Sequence, residues 1–130
     1  MAVHGAIQYV ELFHLLFLDQ LGRKFDKRFY VLKGGCNLRF YLKSFRYSQD
    51  VDLDVPPTFP KDKLREKVGL ILNSLPFRQI LEIHGIRIDR WTDPKQTETT
   101  QRWKLMLAVP QSDLMLPTRL EFSRRGTESG

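Results

Sequence analysis

Helical periodicity in the first half of the chain and strict alternation in the second predict an α+β domain, with helices packed on one face of a mixed, mostly antiparallel sheet. Three observations carry this expectation. Apolar residues recur at steps of three and four over residues 3 to 22, and again from Leu64 to Leu75. Three later segments, residues 85 to 91, 102 to 109 and 118 to 123, alternate apolar with polar. Between them lies Asp50-Val51-Asp52-Leu53-Asp54-Val55, an alternating strand whose polar face is wholly acidic.

Taken in order, Val3, Ile7, Val10, Phe13, Phe17 and Leu21 mark an amphipathic helix, with Gly22 placed as its C-terminal cap. Phe29-Tyr30-Val31-Leu32 is rich in β-formers and closed by Gly34-Gly35, which predicts a short buried strand. A second helix is expected from Gly35 or Cys36 to about Lys43. The acidic strand follows, stopped by Pro56-Pro57. After Pro60, the positions Leu64, Val68, Ile71, Leu72 and Leu75 predict another helix that ends near Pro76. The three alternating strands come last. The polar stretch 92–100 is read as a hairpin connection, and 110–117 as a loop whose Leu114, Met115 and Leu116 cover the sheet edge or meet a partner.

The 130 residues suit one domain, expected over residues 1–125, with 126–130 as a disordered tail. The longest apolar run, Leu15 to Leu18, is far too short to span a bilayer, and the N-terminus lacks the basic start of a secretory signal. A single cysteine, Cys36, excludes an internal disulfide and fits a reducing compartment, so the cytoplasm is expected. The net charge of +6 favours an anionic partner without identifying one, because Lys and Arg are spread along the chain.

Residues at i, i+2 and i+4 of a strand share a face, so Asp50, Asp52 and Asp54 project together. Ionised carboxylates held close repel one another, and a divalent cation, neighbouring Arg or Lys, or a raised pKa relieves them. In the last strand Leu120 and Phe122 occupy one face and Glu121 the other. If both apolar faces pack on the same helices, Asp50, Asp52 and Glu121 share the open face. That geometry suits carboxylates gripping one or two metals ~3.5–4 Å apart. A calcium loop of the EF-hand type fails, because its sixth and twelfth positions would be Val55 and Lys61. A phosphatase-type Asp nucleophile, a metal-binding Asp-x-Asp pair of a sugar-nucleotide transferase, and a purely structural set paired to Arg46 stay open. Upstream, Gly34-Gly35 lets backbone approach a phosphate, with Lys33 and Arg39 adding charge, although Gly-Gly alone is more often a tight turn. No Walker A sequence follows. His4, His14 and His84 have no metal-ligand spacing and are read as packing or surface residues; Trp91 and Trp103 are read as core or edge packing.

Val31-Leu32-Lys33-Gly34-Gly35, followed by Arg46-x-Ser48-x-Asp50-Val51-Asp52-Leu53-Asp54, resembles the AbiEii-type nucleotidyltransferase toxin family of the polymerase-beta-like superfamily. The resemblance is close over residues 25 to 56. It implies a nucleotidyltransferase fold, with Lys33, Gly34 and Gly35 at the triphosphate and Arg46 and Ser48 supporting the site. Asp50 and Asp52 become ligands to Mg²⁺ or Mn²⁺, and Glu121 takes the place of the family's later carboxylate. Members commonly carry Ser or Thr after the glycine pair, where this chain has Cys36, a weaker hydrogen-bond donor. Members also continue into a helical C-terminal half with a catalytic Lys. Nine residues follow Glu121 here, so the expectation is the N-terminal catalytic half alone.

The reading implied is a Mg²⁺-dependent nucleotidyltransferase, the toxin of a toxin–antitoxin or phage-defence system. It would transfer NMP from an NTP to an acceptor, tRNA before a protein hydroxyl, and answer to a cognate antitoxin. The competing reading is a catalytically incomplete module that binds nucleotide, nucleic acid or a partner protein.

Overall fold

The computed structural model describes residues 5–24 and 50–124. Within them the order is α1 (Ala6–Lys24), β1 (Asp50–Asp54), α2 (Lys61–Leu72), α3 (Leu75–Ile83), β2 (Arg87–Gln96), β3 (Thr100–Val109) and β4 (Leu114–Ser123). The strand expected at 29–32, the helix expected at 36–43 and the tail at 126–130 lie outside the described residues.

The helix α1 forms as its spacing predicts, with Tyr9, Val10, Phe13, Phe17 and Leu21 buried along one stripe. It runs on through Gly22 to Lys24, so Gly22 is not its cap. Arg23 and Lys24 in its last turn put positive charge where the helix dipole is negative.

The helix after Pro60 ends at Leu72, where the Asn73 N–H returns to the Gly69 carbonyl at 3.0 Å. Pro76 does not end it but belongs to the first turn of α3, a helix the periodicity alone does not reveal. The Ser74 Oγ caps α3 by accepting from the Phe77 N–H at 3.2 Å, and a proline in the first turn loses no helical hydrogen bond. At its other end Gly85 takes φ 81°. Its N–H reaches Glu82 O and the Ile86 N–H reaches Leu81 O, both at 2.9 Å, which closes the helix with a left-handed cap.

The sheet order is β1-β4-β3-β2, with β1 parallel to β4 and the other two pairs antiparallel. This is the mixed, mostly antiparallel sheet expected. The strands are longer than alternation suggested. Stretch 92–100 is mostly strand, with only 97–99 turning, and bulges between Ile88 and Arg90 and between Thr92 and Lys95 absorb Asp89 and Pro94. β4 begins at Leu114 after a 3-10 turn over Pro110–Ser112 and Asp113 at φ 57°. Pro117 is tolerated because β1 pairs with β4 only from Arg119 onward.

The inner face of the sheet carries Val51, Leu53, Trp103, Leu105, Leu107, Leu120 and Phe122, all buried with the helical stripes in one core. Trp103 and Phe122 meet edge to face with ring centroids 5.5 Å apart, so Trp103 is core as expected. Trp91 is half-buried: its ring packs near Gly69 of α2 and its Nε1 donates to Asn73 Oδ1 at 3.3 Å. With the helices holding this face, the opposite face carries, among the described residues, the charged positions of β1, β3 and β4 alongside Met106 and Pro117.

Candidate active site on the open face of the sheet

Burial alternates along β1, with Val51 and Leu53 inside and Asp50, Asp52 and Asp54 half-exposed. Along β4, Leu120 and Phe122 are inside, Glu121 is half-exposed and Arg119 exposed. The expectation that Asp50, Asp52 and Glu121 share the open face therefore agrees with the fold. Register sharpens it. In the parallel β1–β4 pair Asp52 stands opposite Glu121 and Asp50 opposite Arg119. Adjacent strands lie ~4.8 Å apart, so Asp52 and Glu121 are lateral neighbours.

Extending the register across β3 and β2 gives two rows. Asp52, Glu121, Arg102 and Lys95 form the first; Asp50, Arg119, Lys104 and Thr92 form the second. Each row runs from carboxylate at β1 toward cation at β3. Arg119 donates from Nε at 3.2 Å and Nη2 at 2.9 Å to the same oxygen, Asp50 Oδ2. Arg102 Nε donates to Glu121 Oε1 at 2.8 Å. The hydrogen bond to Asp50, and then its charge, raise the Arg119 pKa further, with Glu121 and Asp52 adding to the pull. Arginines thus relieve the carboxylate repulsion that the alternation creates.

Beneath this row, on the helical side, His14 of α1 is buried and its Nε2 lies 2.7 Å from Thr118 Oγ1. Loss of water pushes its pKa down to about 4, opposed in part by the charge of Asp50. It is a packing histidine, neutral at pH 7, as its lack of ligand spacing suggested.

The donor set suits a hard divalent cation in its chemistry, since Asp50, Asp52 and Glu121 offer only carboxylate oxygens. Among the described residues, however, no three His, Cys, Asp or Glu side chains converge closely enough to hold a metal ion. Asp50 turns toward Arg119 and Glu121 toward Arg102. Of the other residues expected at the site, Lys33, Gly34, Gly35, Arg46 and Ser48 lie outside the described residues. Strand alternation alone does not single out Arg102, Lys104 and Arg119. The available signal was the same two-residue spacing that marks the acidic strand, in Arg102-x-Lys104 and Arg119-x-Glu121.

No helix among the described residues is long and apolar enough to cross a membrane. Two crystal structures from Helicobacter pylori share the fold. One is described as that of a proposed nucleotidyltransferase, at 18% identity and TM-score 0.57, covering 98% of this chain and 49% of that one. The other is JHP933, at 17% identity and TM-score 0.57, covering 98% of this chain and 48% of that one. The chain thus spans about half the length of these solved relatives. No protein of curated function matches it in sequence. The family model for the nucleotidyl transferase AbiEii toxin of type IV toxin–antitoxin systems matches residues 16–128. The chain belongs to the AbiEii nucleotidyltransferase toxin family.

Proposed function

We propose that this domain is the catalytic part of a nucleotidyltransferase that moves NMP from an NTP to an acceptor hydroxyl, with Mg²⁺ or Mn²⁺ as cofactor. The observation that carries the reading is the in-register pair Asp52 and Glu121, flanked by Asp50, on the solvent face of a sheet whose other face is core. In the reaction a bond forms between the acceptor oxygen and the α-phosphorus, the bond from that phosphorus to the bridging oxygen breaks, and pyrophosphate leaves. A divalent ion, when bound, neutralises charge on the triphosphate.

The chain's own residues have separable parts in this scheme. Asp52 and Asp50 supply the oxygen ligands, which requires Asp50 to leave Arg119. Arg119, once released, is a bidentate donor beside the place where phosphate charge arrives. Glu121 holds the acceptor hydroxyl or takes its proton. Lys33, Gly34 and Gly35 cradle the triphosphate, while Arg46 and Ser48 brace the acidic strand, as the family resemblance implies. A tRNA end is the favoured acceptor because the chain is basic, and a protein hydroxyl comes second. Family membership supports a role as the toxin of a toxin–antitoxin or phage-defence system, with a cognate antitoxin as partner, acting in the cytoplasm.

A second reading rests on the ion pairs themselves. With Asp50 and Glu121 both engaged by arginine, the domain binds nucleotide or nucleic acid without turning it over. Radiolabelled NTP incubated with tRNA, Mg²⁺ and the chain decides between them. Label that appears on RNA and vanishes in Asp52→Asn supports the transferase. Nucleotide binding without label supports the binding module.

A further inference from the structure

A groove of about 450 Å³ crosses the open face from Asp50 of β1, over β4 and β3, to the edge strand β2. Among the described residues its charged lining is Arg119, Lys104 and Arg90 against one carboxylate, Asp50, which pairs with Arg119. Among the described residues Lys104 has no ion-pair partner, while Arg90 pairs with the exposed Asp89 at 2.8 Å. Between the cations the floor is apolar, built from Met106 and Pro117, which are register partners. Cations spaced along a track, with flat apolar surface between them, match a nucleic-acid strand: phosphates meet the cations and a base or sugar rests on the floor. The volume is that of a small-ligand site and cannot admit a duplex.

We infer that this groove is the track for a single-stranded RNA end, which lies across β2 and β3 with its terminal hydroxyl directed at Asp50 and Asp52. The inference rests on the transferase reading given above and locates its acceptor. What favours a strand over the NTP is the open end: the groove crosses three inter-strand gaps and reaches the sheet edge among the described residues, so a polymer can leave there. Its near end is Asp50, whose same-face neighbour Asp52 stands opposite Glu121, the group assigned above to the incoming hydroxyl.

Anisotropy of a fluorescein-labelled single-stranded oligoribonucleotide, titrated with the chain over a range of salt, tests the assignment beside binding of a fluorescent ATP analogue with Mg²⁺. Arg90→Ala/Lys104→Ala removes two phosphate contacts from exposed positions. It should weaken the oligonucleotide about tenfold at low salt and reduce the log–log salt slope by about 1.4, at ~0.7 per phosphate. ATP binding should be unchanged. Lys63→Ala/Arg23→Ala, an equal loss of charge on exposed helical positions, should leave the slope as it is. Circular dichroism and the melting temperature verify that both variants are folded. Equal weakening by both pairs, or by neither, overturns the groove, as does a wild-type chain that fails to bind the oligonucleotide at low salt. Loss of ATP binding in Arg90→Ala/Lys104→Ala reassigns the groove to the donor nucleotide and overturns it as the acceptor track. The transferase reading stands or falls separately, on whether the wild-type chain binds ATP with Mg²⁺ and on the labelling reaction.

Discussion

The two faces of the sheet share the same strands and almost nothing else. On the inner face Trp103, Leu105, Leu120 and Phe122 are buried against three helices. On the outer face, one residue along each strand, stand Arg102, Lys104, Arg119 and Glu121. The inner face gains from removing apolar area from water, and its members tolerate little change of volume. The outer face gains little from its ion pairs, which are half in solvent and screened by salt. The contrast implies that mutations on one side should move stability, and on the other ligand binding.

The largest effect is expected inside. Trp103→Ala leaves a cavity under the centre of the sheet and removes the edge-to-face contact with Phe122, so unfolding by denaturant should show a loss of about 3–5 kcal/mol. A loss below ~1 kcal/mol would mean that the inner face is not the stabilising one.

A titration sharpens the same contrast at His14, which is buried under the acidic row. Its folded pKa is lowered to about 4 from 6.5, so between those values the unfolded chain binds more protons than the folded one. Stability therefore rises with pH through that window, is fully present above it, and is lost as pH falls toward 4. The whole contribution is roughly 3 kcal/mol. Urea unfolding at pH 4.5 and 7 should show the difference, and His14→Gln should flatten it. An unchanged slope in that variant would place the titration elsewhere.

A smaller loss is expected at Gly85, whose positive φ closes α3. Gly85→Ala adds a Cβ in a left-handed conformation at about 1–2 kcal/mol. The melting temperature checks it, and no shift would mean that the cap relaxes.

The smallest effect on stability belongs to the outer face. Arg119→Ala should change unfolding by less than ~1 kcal/mol, because its ion pair with Asp50 is half-exposed. Yet Mn²⁺ should bind the variant more tightly in the absence of nucleotide, since one guanidinium that competes for Asp50 is gone. Calorimetry that shows equal Mn²⁺ affinity in both proteins would remove Arg119 as the competitor.

What sequence reading recovered and missed divides along the same line. Single-element periodicity found α1, α2 and the inward positions of all four strands. It missed α3 because Leu75-Pro76 looks like the end of α2, when Ser74 and Pro76 are instead a cap and a first-turn residue. It cut β2 and β4 short because Asp89, Pro94 and Pro117 break alternation, and bulges and partial pairing absorb such residues without ending a strand. For the candidate site, alternation put Asp50, Asp52 and Glu121 on one face, but it passed over Arg102 and Arg119, whose pairing is long-range.

The amino-acid sequence on its own determined which residues face water, because the two-residue period of a strand is a local property of the backbone. It also determined family membership, through a match over residues 16–128. Tertiary structure decided which charge meets which. The parallel pairing of β1 with β4 sets Asp52 against Glu121 and Asp50 against Arg119, although these strands are separated in the chain by two helices and a hairpin. A slip of one residue would turn the carboxylates toward the core, and a slip of two would set Asp50 against Glu121 instead. No local pattern excludes the second slip; the packing of Val51 on Leu120 and Leu53 on Phe122 over the shared core does.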